Sequence, residues 1–249
     1  MTAPPSPSRY GSLAFNAPMS EELADALATS LTRRSPAKVL DVGCGWGELL
    51  LRVIAASPSA TALGIDRDMA LRERGAANAV ARALAGRVQF RAELPDPRIA
   101  SADVVICVGA DHIFGTQHDA LRSLHELVVP GGRLLVGTGF WEQTPSREQA
   151  AALGATPEEL RSLADLINLA MSAGFRVLDV RTASRREWEQ FEFGYLADWE
   201  EWLMDWSSDA GAVDIVTRAN DHRNGYLRGW RDVLGFAYLI LGRPRALGS

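Results

Sequence analysis

With 249 residues, 47% of them hydrophobic and 23% charged, the chain is sized for one large globular domain with an elaboration, able to bury a sizeable core. A formal net charge of −5 argues against a nucleic-acid backbone as the main partner. The two cysteines, Cys44 and Cys107, suit neither a disulfide framework nor a zinc spacing, and no apolar run reaches the length of a membrane span, so the expectation is a cytoplasmic protein without metal.

Residues 1–19, with Pro4, Pro5, Pro7 and several serines, read as a flexible tail without a signal-peptide layout, and residues 20–249 as a single domain. Ser20 is placed to cap a helix through about Arg33, with Leu23, Leu27 and Leu31 as its apolar stripe. Residues 39–42 form a short β-branched strand that runs into Gly43-Cys44-Gly45-Trp46-Gly47. Leu49, Leu50, Leu51, Val53 and Ile54 then supply a buried helix, and strand, glycine turn and helix in that order open a nucleotide-binding βαβ unit. A second strand, 60–65, ends at Asp66, and Asp68 caps a helix ended by Gly86. Residues 88–91 and 103–108 are strands three and four. A helix near 118–127 leads to the Pro130-Gly131-Gly132 turn and strand five at 133–137. Thr156-Pro157-Glu158-Glu159 is a capping box for a helix running to Ala173 and stopped by Gly174. Residues 175–180 and 236–241 are strands six and seven. The alternation predicts an α/β fold with a doubly wound, mostly parallel, seven-stranded sheet. Between the last two strands, an aromatic-rich insert at about 185–234 reads as two helices, 185–206 and 212–234, and as a cap over the sheet's carboxyl edge.

Glu48 stands where the dinucleotide fingerprint needs its third glycine. With Asp41 just ahead of the turn, the run instead resembles the first motif of class I S-adenosylmethionine-dependent methyltransferases. Ala62-Leu-Gly-Ile-Asp66 resembles that family's second motif, Asp103 to Gly109 its fourth-strand motif, and Pro130-Gly131-Gly132-Arg133-Leu-Leu-Val the turn and strand that follow. The resemblance implies a Rossmann-like fold, S-adenosyl-L-methionine as cofactor and S-adenosyl-L-homocysteine as product. It also implies Asp41, Gly43, Cys44, Gly45 and Gly47 at the cofactor's amino-acid end, and Asp66, with Arg67 beside it, on the ribose. Val108 and Gly109 would face the methyl group, and Glu93 with Leu94 would stand near the adenine, where many members carry an aspartate.

Methyl transfer asks for an in-line nucleophile, exclusion of water and removal of a proton where the nucleophile carries one. The end of strand four, Gly109-Ala110-Asp111-His112, lacks the Asn/Asp-Pro-Pro-Tyr pattern of members that methylate nucleic-acid amino groups, which favours a small-molecule substrate. His112 is the candidate general base, since histidine titrates near neutrality; the plainer alternative is ordering of its loop. Asp111 is a candidate for substrate or for the cofactor's amino group, or a turn cap. Trp141 and Glu142 after strand five, with Trp188, Glu192 and Tyr195 in the insert, are candidate substrate contacts, against the alternative of ordinary packing. Acids among aromatic rings admit either a cage for an amine or walls for a flat, hydrophobic acceptor. Two other classes remain: a nucleotide-dependent oxidoreductase, opposed by the misplaced glycine and the lack of a Tyr-x-x-x-Lys pair, and a non-catalytic cofactor-binding regulator. Oligomeric state is not legible.

Overall fold

Seven strands form one sheet among the described residues of the computed structural model, which are 6–8, 10–93 and 101–245. They are β1 (Lys38–Val42), β2 (Thr61–Ile65), β3 (Val88–Arg91), β4 (Ala102–Val108), β5 (Val128–Trp141), β6 (Arg176–Thr182) and β7 (Leu234–Gly242), in the order β3-β2-β1-β4-β5-β7-β6. The pairs from β3 through β5 are parallel, and β7 runs antiparallel to β6. Strand order therefore reverses between β1 and β4, where a doubly wound sheet opens a crevice at its carboxyl ends.

The helices are α1 (Glu21–Thr32), α2 (Glu48–Ala55), α3 (Met69–Ala81), α4 (Gln117–Leu127), α5 (Arg147–Ala152), α6 (Leu163–Ser172), α7 (Arg185–Trp206) and α8 (Ala212–Asn224). Ser20, Asp68, Thr116, Ser146, Ser162 and Ser184 each accept a first-turn N–H and so fix six of the starts. Leu40 and Val42 of β1 pack with Leu121 and Leu124 of α4 and Leu166 of α6. In α2, Leu50, Leu51, Val53 and Ile54 are fully buried, each worth about 1.5–3 kcal/mol of transfer free energy.

The chain divides into two compact units. The larger holds Ser20–Phe140, Arg161–Thr182 and the chain from Phe236; the smaller holds the residues up to Met19, Trp141–Leu160 and Ala183–Gly235. The smaller unit is thus more than the expected insert. Residues read as a tail belong to it: the backbone N–H groups of Gly11 and Ser12 donate to the Asp198 carboxylate at 2.6 and 3.1 Å, and Leu13 and Phe15 are buried.

Several boundaries differ from the sequence expectation for local reasons. Helix α3 stops at Ala81 because Ala83 takes a left-handed φ of 58°, before Gly86 is reached. Strand β5 begins at Val128, crosses Pro130-Gly131-Gly132 through a register shift against β4 and continues to Trp141. The Thr156–Glu159 capping contact forms at 3.1 Å, yet no helix follows it. The Trp141 indole takes the Pro157 carbonyl (2.9 Å) that a continuing helix needs, and Ser162 starts α6 instead. Helix α8 gives way to a π-helical turn, Gly225–Trp230, in which a β-carbon on Gly225 would fall 2.5 Å from the Trp230 ring.

Candidate functional site

In the larger unit the chain leaves β1 through three left-handed glycines, Gly43, Gly45 and Gly47, at φ 73°, 56° and 67°. The Gly43 and Cys44 N–H groups both donate to the Ile65 carbonyl, at 2.8 and 2.9 Å, and tie the turn to β2. A β-carbon on Gly43 would lie 2.1 Å from that of Ala110, and one on Gly47 would lie 2.8 Å from the Phe90 ring. One on Gly45 would meet nothing within 4 Å. The outer glycines answer to the protein's own packing; the middle one faces open space.

Asp66 is half-buried at the end of β2. Its Oδ2 accepts from the Gly45 N–H at 2.8 Å and its Oδ1 from the Asp68 N–H at 2.9 Å, which fixes the plane of the carboxylate. Arg67 beside it is exposed. The Asp41 side chain, in a residue 4% exposed, has no hydrogen-bond partner or cation among the described residues, and its carboxyl is pushed up to about 8, first by burial and then by the charge of Asp66. Burial, then the charges of Asp41 and Asp66, push the Cys44 thiol up as well, and burial raises that of Cys107. Neither thiol is poised as a nucleophile.

At the end of β4, Val108 is half-buried and Gly109 (φ 69°) donates to the Gly137 carbonyl at 2.8 Å. A 3-10 turn, Asp111–Phe114, follows. Thr138 Oγ1 donates to Asp111 Oδ2 at 2.6 Å and accepts from Gln117 Nε2 at 3.1 Å, while Gln117 Oε1 is buried without a partner. Thr138 and Gln117 belong to no sequence motif, so only the fold reveals their place beside Asp111. The His112 imidazole is exposed and makes no hydrogen bond among the described residues. Glu93 is exposed, and Leu94 lies outside the described residues.

In the smaller unit, Trp141 packs with Tyr226, Trp230 and Leu234, and Glu142 is exposed. Glu192, 3% exposed, has Oε2 2.6 Å from His222 Nε2, and its Oε1 accepts from Trp230 Nε1 at 3.2 Å. The Tyr195 ring lies 4.8 Å from that of His222 and 5.3 Å from that of Trp199. Half-buried Trp188 stands edge-on to Phe191. The acids nearby are engaged by the protein itself: Glu189 with Arg231 at 2.6 Å, Glu200 with Arg223, and Asp198 with the backbone at Gly11 and Ser12.

The glycine turn, Asp41, Cys44 and Asp66 therefore converge within the larger unit, and Glu192 and Tyr195 meet around His222 within the smaller. Among the described residues no helix is long and apolar enough to cross a membrane, and no cluster of three His, Cys, Asp or Glu could hold a metal ion.

Residues 40–134 match a family model described as a methyltransferase domain. Over 229 residues the chain is 27% identical to YjhP, an uncharacterized protein of Escherichia coli (strain K12), covering 90% of this chain and 92% of that one. It is 32% identical to the 27-O-demethylrifamycin SV methyltransferase of Amycolatopsis mediterranei (strain S699) over 52% of this chain and 48% of that enzyme, so it spans about half of that relative's length. The crystal structure of a SAM-dependent methyltransferase from Thiobacillus denitrificans, in complex with S-adenosyl-L-homocysteine, is similar with a TM-score of 0.82 at 26% identity, over 92% of this chain and 93% of that one.

Proposed function

We propose that this chain, which belongs to the class I S-adenosylmethionine-dependent methyltransferases, methylates a neutral, largely apolar small molecule at oxygen, nitrogen or carbon. Asp41 carries the cofactor side of the reading. It is a buried carboxylate with a like-charged neighbour and no cation of the protein's own, beside a turn whose middle glycine opens onto space. S-adenosylmethionine supplies positive charge at its ammonium and sulfonium, and its methyl group is electrophilic without further activation. The three glycines let the backbone approach it closely, with Cys44 in the same turn. Asp66 has one backbone N–H on each oxygen and keeps a lone pair on each for a ribose hydroxyl. We assign Arg67 to the same end, Glu93 to the adenine side, and Val108 and Gly109 to the methyl group.

The acceptor side rests on the relative named for 27-O-demethylrifamycin SV and on the smaller unit, to which we assign the role of cap. The chain leaves the sheet for that unit at Trp141 and Ala183 and returns at Phe236. Glu189, Glu192 and Glu200 are each engaged by an arginine or histidine of the same unit, which leaves these three carboxylates less able to cage a cation, and the unit's aromatic side chains suit an uncharged, flat acceptor. Trp141, Glu142, Trp188, Glu192 and Tyr195 are the substrate-side residues, with Glu192 acting through His222. Where the acceptor carries a proton, His112 is the base, its ring free of other hydrogen bonds, and Asp111 is steadied by Thr138 and Gln117.

Incubating the protein with methyl-labelled cofactor and a metabolite extract tests the reading. Label in a small-molecule product supports it; label confined to protein or RNA, or no transfer at all, overturns it. Displacement of bound S-adenosylhomocysteine by NAD would favour the oxidoreductase alternative. Replacing His112 by Ala is expected to slow turnover about 10²-fold with cofactor affinity unchanged.

A further inference from the structure

We propose that the larger unit carries a second ligand site, a cavity for a small, multiply charged phosphate compound, at the opposite edge of the sheet from the glycine turn. The cavity, about 440 Å³, is lined by Arg34 just before β1, Gly131 to Arg133 at the start of β5, Arg176 opening β6 and Arg243 and Arg245 after β7. Five guanidinium groups meet there in a chain whose net charge is −5, and among the described residues no acidic side chain lines the space. None of the five makes an ion pair among the described residues.

Three of the arginines are held by backbone carbonyls, which leave their charge in place. Arg243 Nη1 donates to the His125 and Val128 carbonyls, each at 2.8 Å. Arg133 Nη1 donates to the Ser30 carbonyl, while its Nε is buried without a partner. Arg34 reaches the Gly131 carbonyl at 3.4 Å. Arg245 lies across Gly131, where a β-carbon would fall 2.7 Å from its Nε. Burial, then the charges of Arg34 and Arg33, pull the Arg133 guanidinium below its ordinary value. Like charges brought together and partly dried repel one another, and an anion with several oxygens relieves that repulsion while filling the unused N–H donors. The concave shape and volume suit a ligand of metabolite size, and exposed Leu178 and Pro244 give it one apolar flank.

The test is calorimetric titration of the full chain with inorganic pyrophosphate at low salt, with S-adenosylhomocysteine saturating. One site is expected, weakened at least tenfold in the double variant R176S/R245S, whose S-adenosylhomocysteine affinity stays that of the wild type. Both residues are exposed, so folding should survive; R34S provides a second, independent variant with the same expectation. Absence of binding, equal binding by the variants, or competition between pyrophosphate and S-adenosylhomocysteine would overturn the proposal. So would capture by phosphatidylserine vesicles or single-stranded RNA that is tighter than pyrophosphate binding and lost in the variants, since a membrane or a nucleic acid would then be the occupant.

Discussion

Asp41 in the larger unit and Glu192 in the smaller are buried almost equally, at 4% and 3% exposure, yet their surroundings differ. Both Glu192 oxygens have partners, His222 on one and the Trp230 indole on the other. Asp41 has neither donor nor cation among the described residues and has the charge of Asp66 against it. A carboxylate taken from water without a partner is costly, so position 192 is complete within the protein, whereas position 41 is completed by a proton or by a cationic ligand. The contrast separates a carboxylate that holds structure from one that waits for chemistry.

The widest test of this contrast is pH. The Asp41 carboxyl stands at about 8 in the folded chain against an ordinary 3.8, so between those values the folded state holds a proton that the unfolded state has lost. Its contribution to stability is full below the lower value and is lost as pH rises through the upper one. Relative to Asp41→Asn, the wild type without cofactor should lose up to about 1.4 kcal/mol per pH unit across that window, measured by urea unfolding. A gap independent of pH would show that Asp41 is not held neutral. Saturating cofactor should cancel the trend, because a cation favours the ionised form, and its affinity should climb over the same window. Next in size, Glu192→Ala strands the His222 and Trp230 donors and should cost about 3 kcal/mol of stability; a loss below about 0.5 kcal/mol would make the pair incidental. Asp66→Ala should weaken S-adenosylhomocysteine binding by about 1–3 kcal/mol, and calorimetry showing unchanged affinity would take Asp66 out of the site.

What could be read from the sequence was chemistry that acts within a few residues. The β1–turn–α2 unit, the acid closing β2 and the helix caps at Ser20 and Asp68 all depend on neighbours along the chain. Contacts made across the fold were hidden. The capping box at Thr156 starts no helix because an indole fifteen residues earlier, Trp141, claims the Pro157 carbonyl. Thr138 joins Asp111 across 27 residues and Gln117 across 21, and His222 joins Glu192 across 30, separations that no motif encodes. The N-terminal stretch reads as a tail because of its prolines and serines, and the Asp198 carboxylate and the burial of Leu13 and Phe15 reveal why residues near Gly11 are held. The five arginines come from four separate stretches of the chain, and only the sheet's edge brings them to one cavity.

In the glycine turn the comparison sharpens to two residues, of which Gly45 should show the smallest effect on stability. Gly43→Ala sets a β-carbon 2.1 Å from that of Ala110, so left-handed strain and overpacking combine, and the loss should reach about 2–4 kcal/mol. Gly45→Ala has the same left-handed strain, about 1 kcal/mol, but its β-carbon meets no protein atom. Its added methyl instead enters the space we assign to the cofactor's amino-acid end. Urea unfolding should therefore show a mild variant, while calorimetry shows S-adenosylhomocysteine affinity down at least tenfold, about 1.4 kcal/mol. If Gly45→Ala bound that product as tightly as the wild type, the open space over the middle glycine would not be where the cofactor lies.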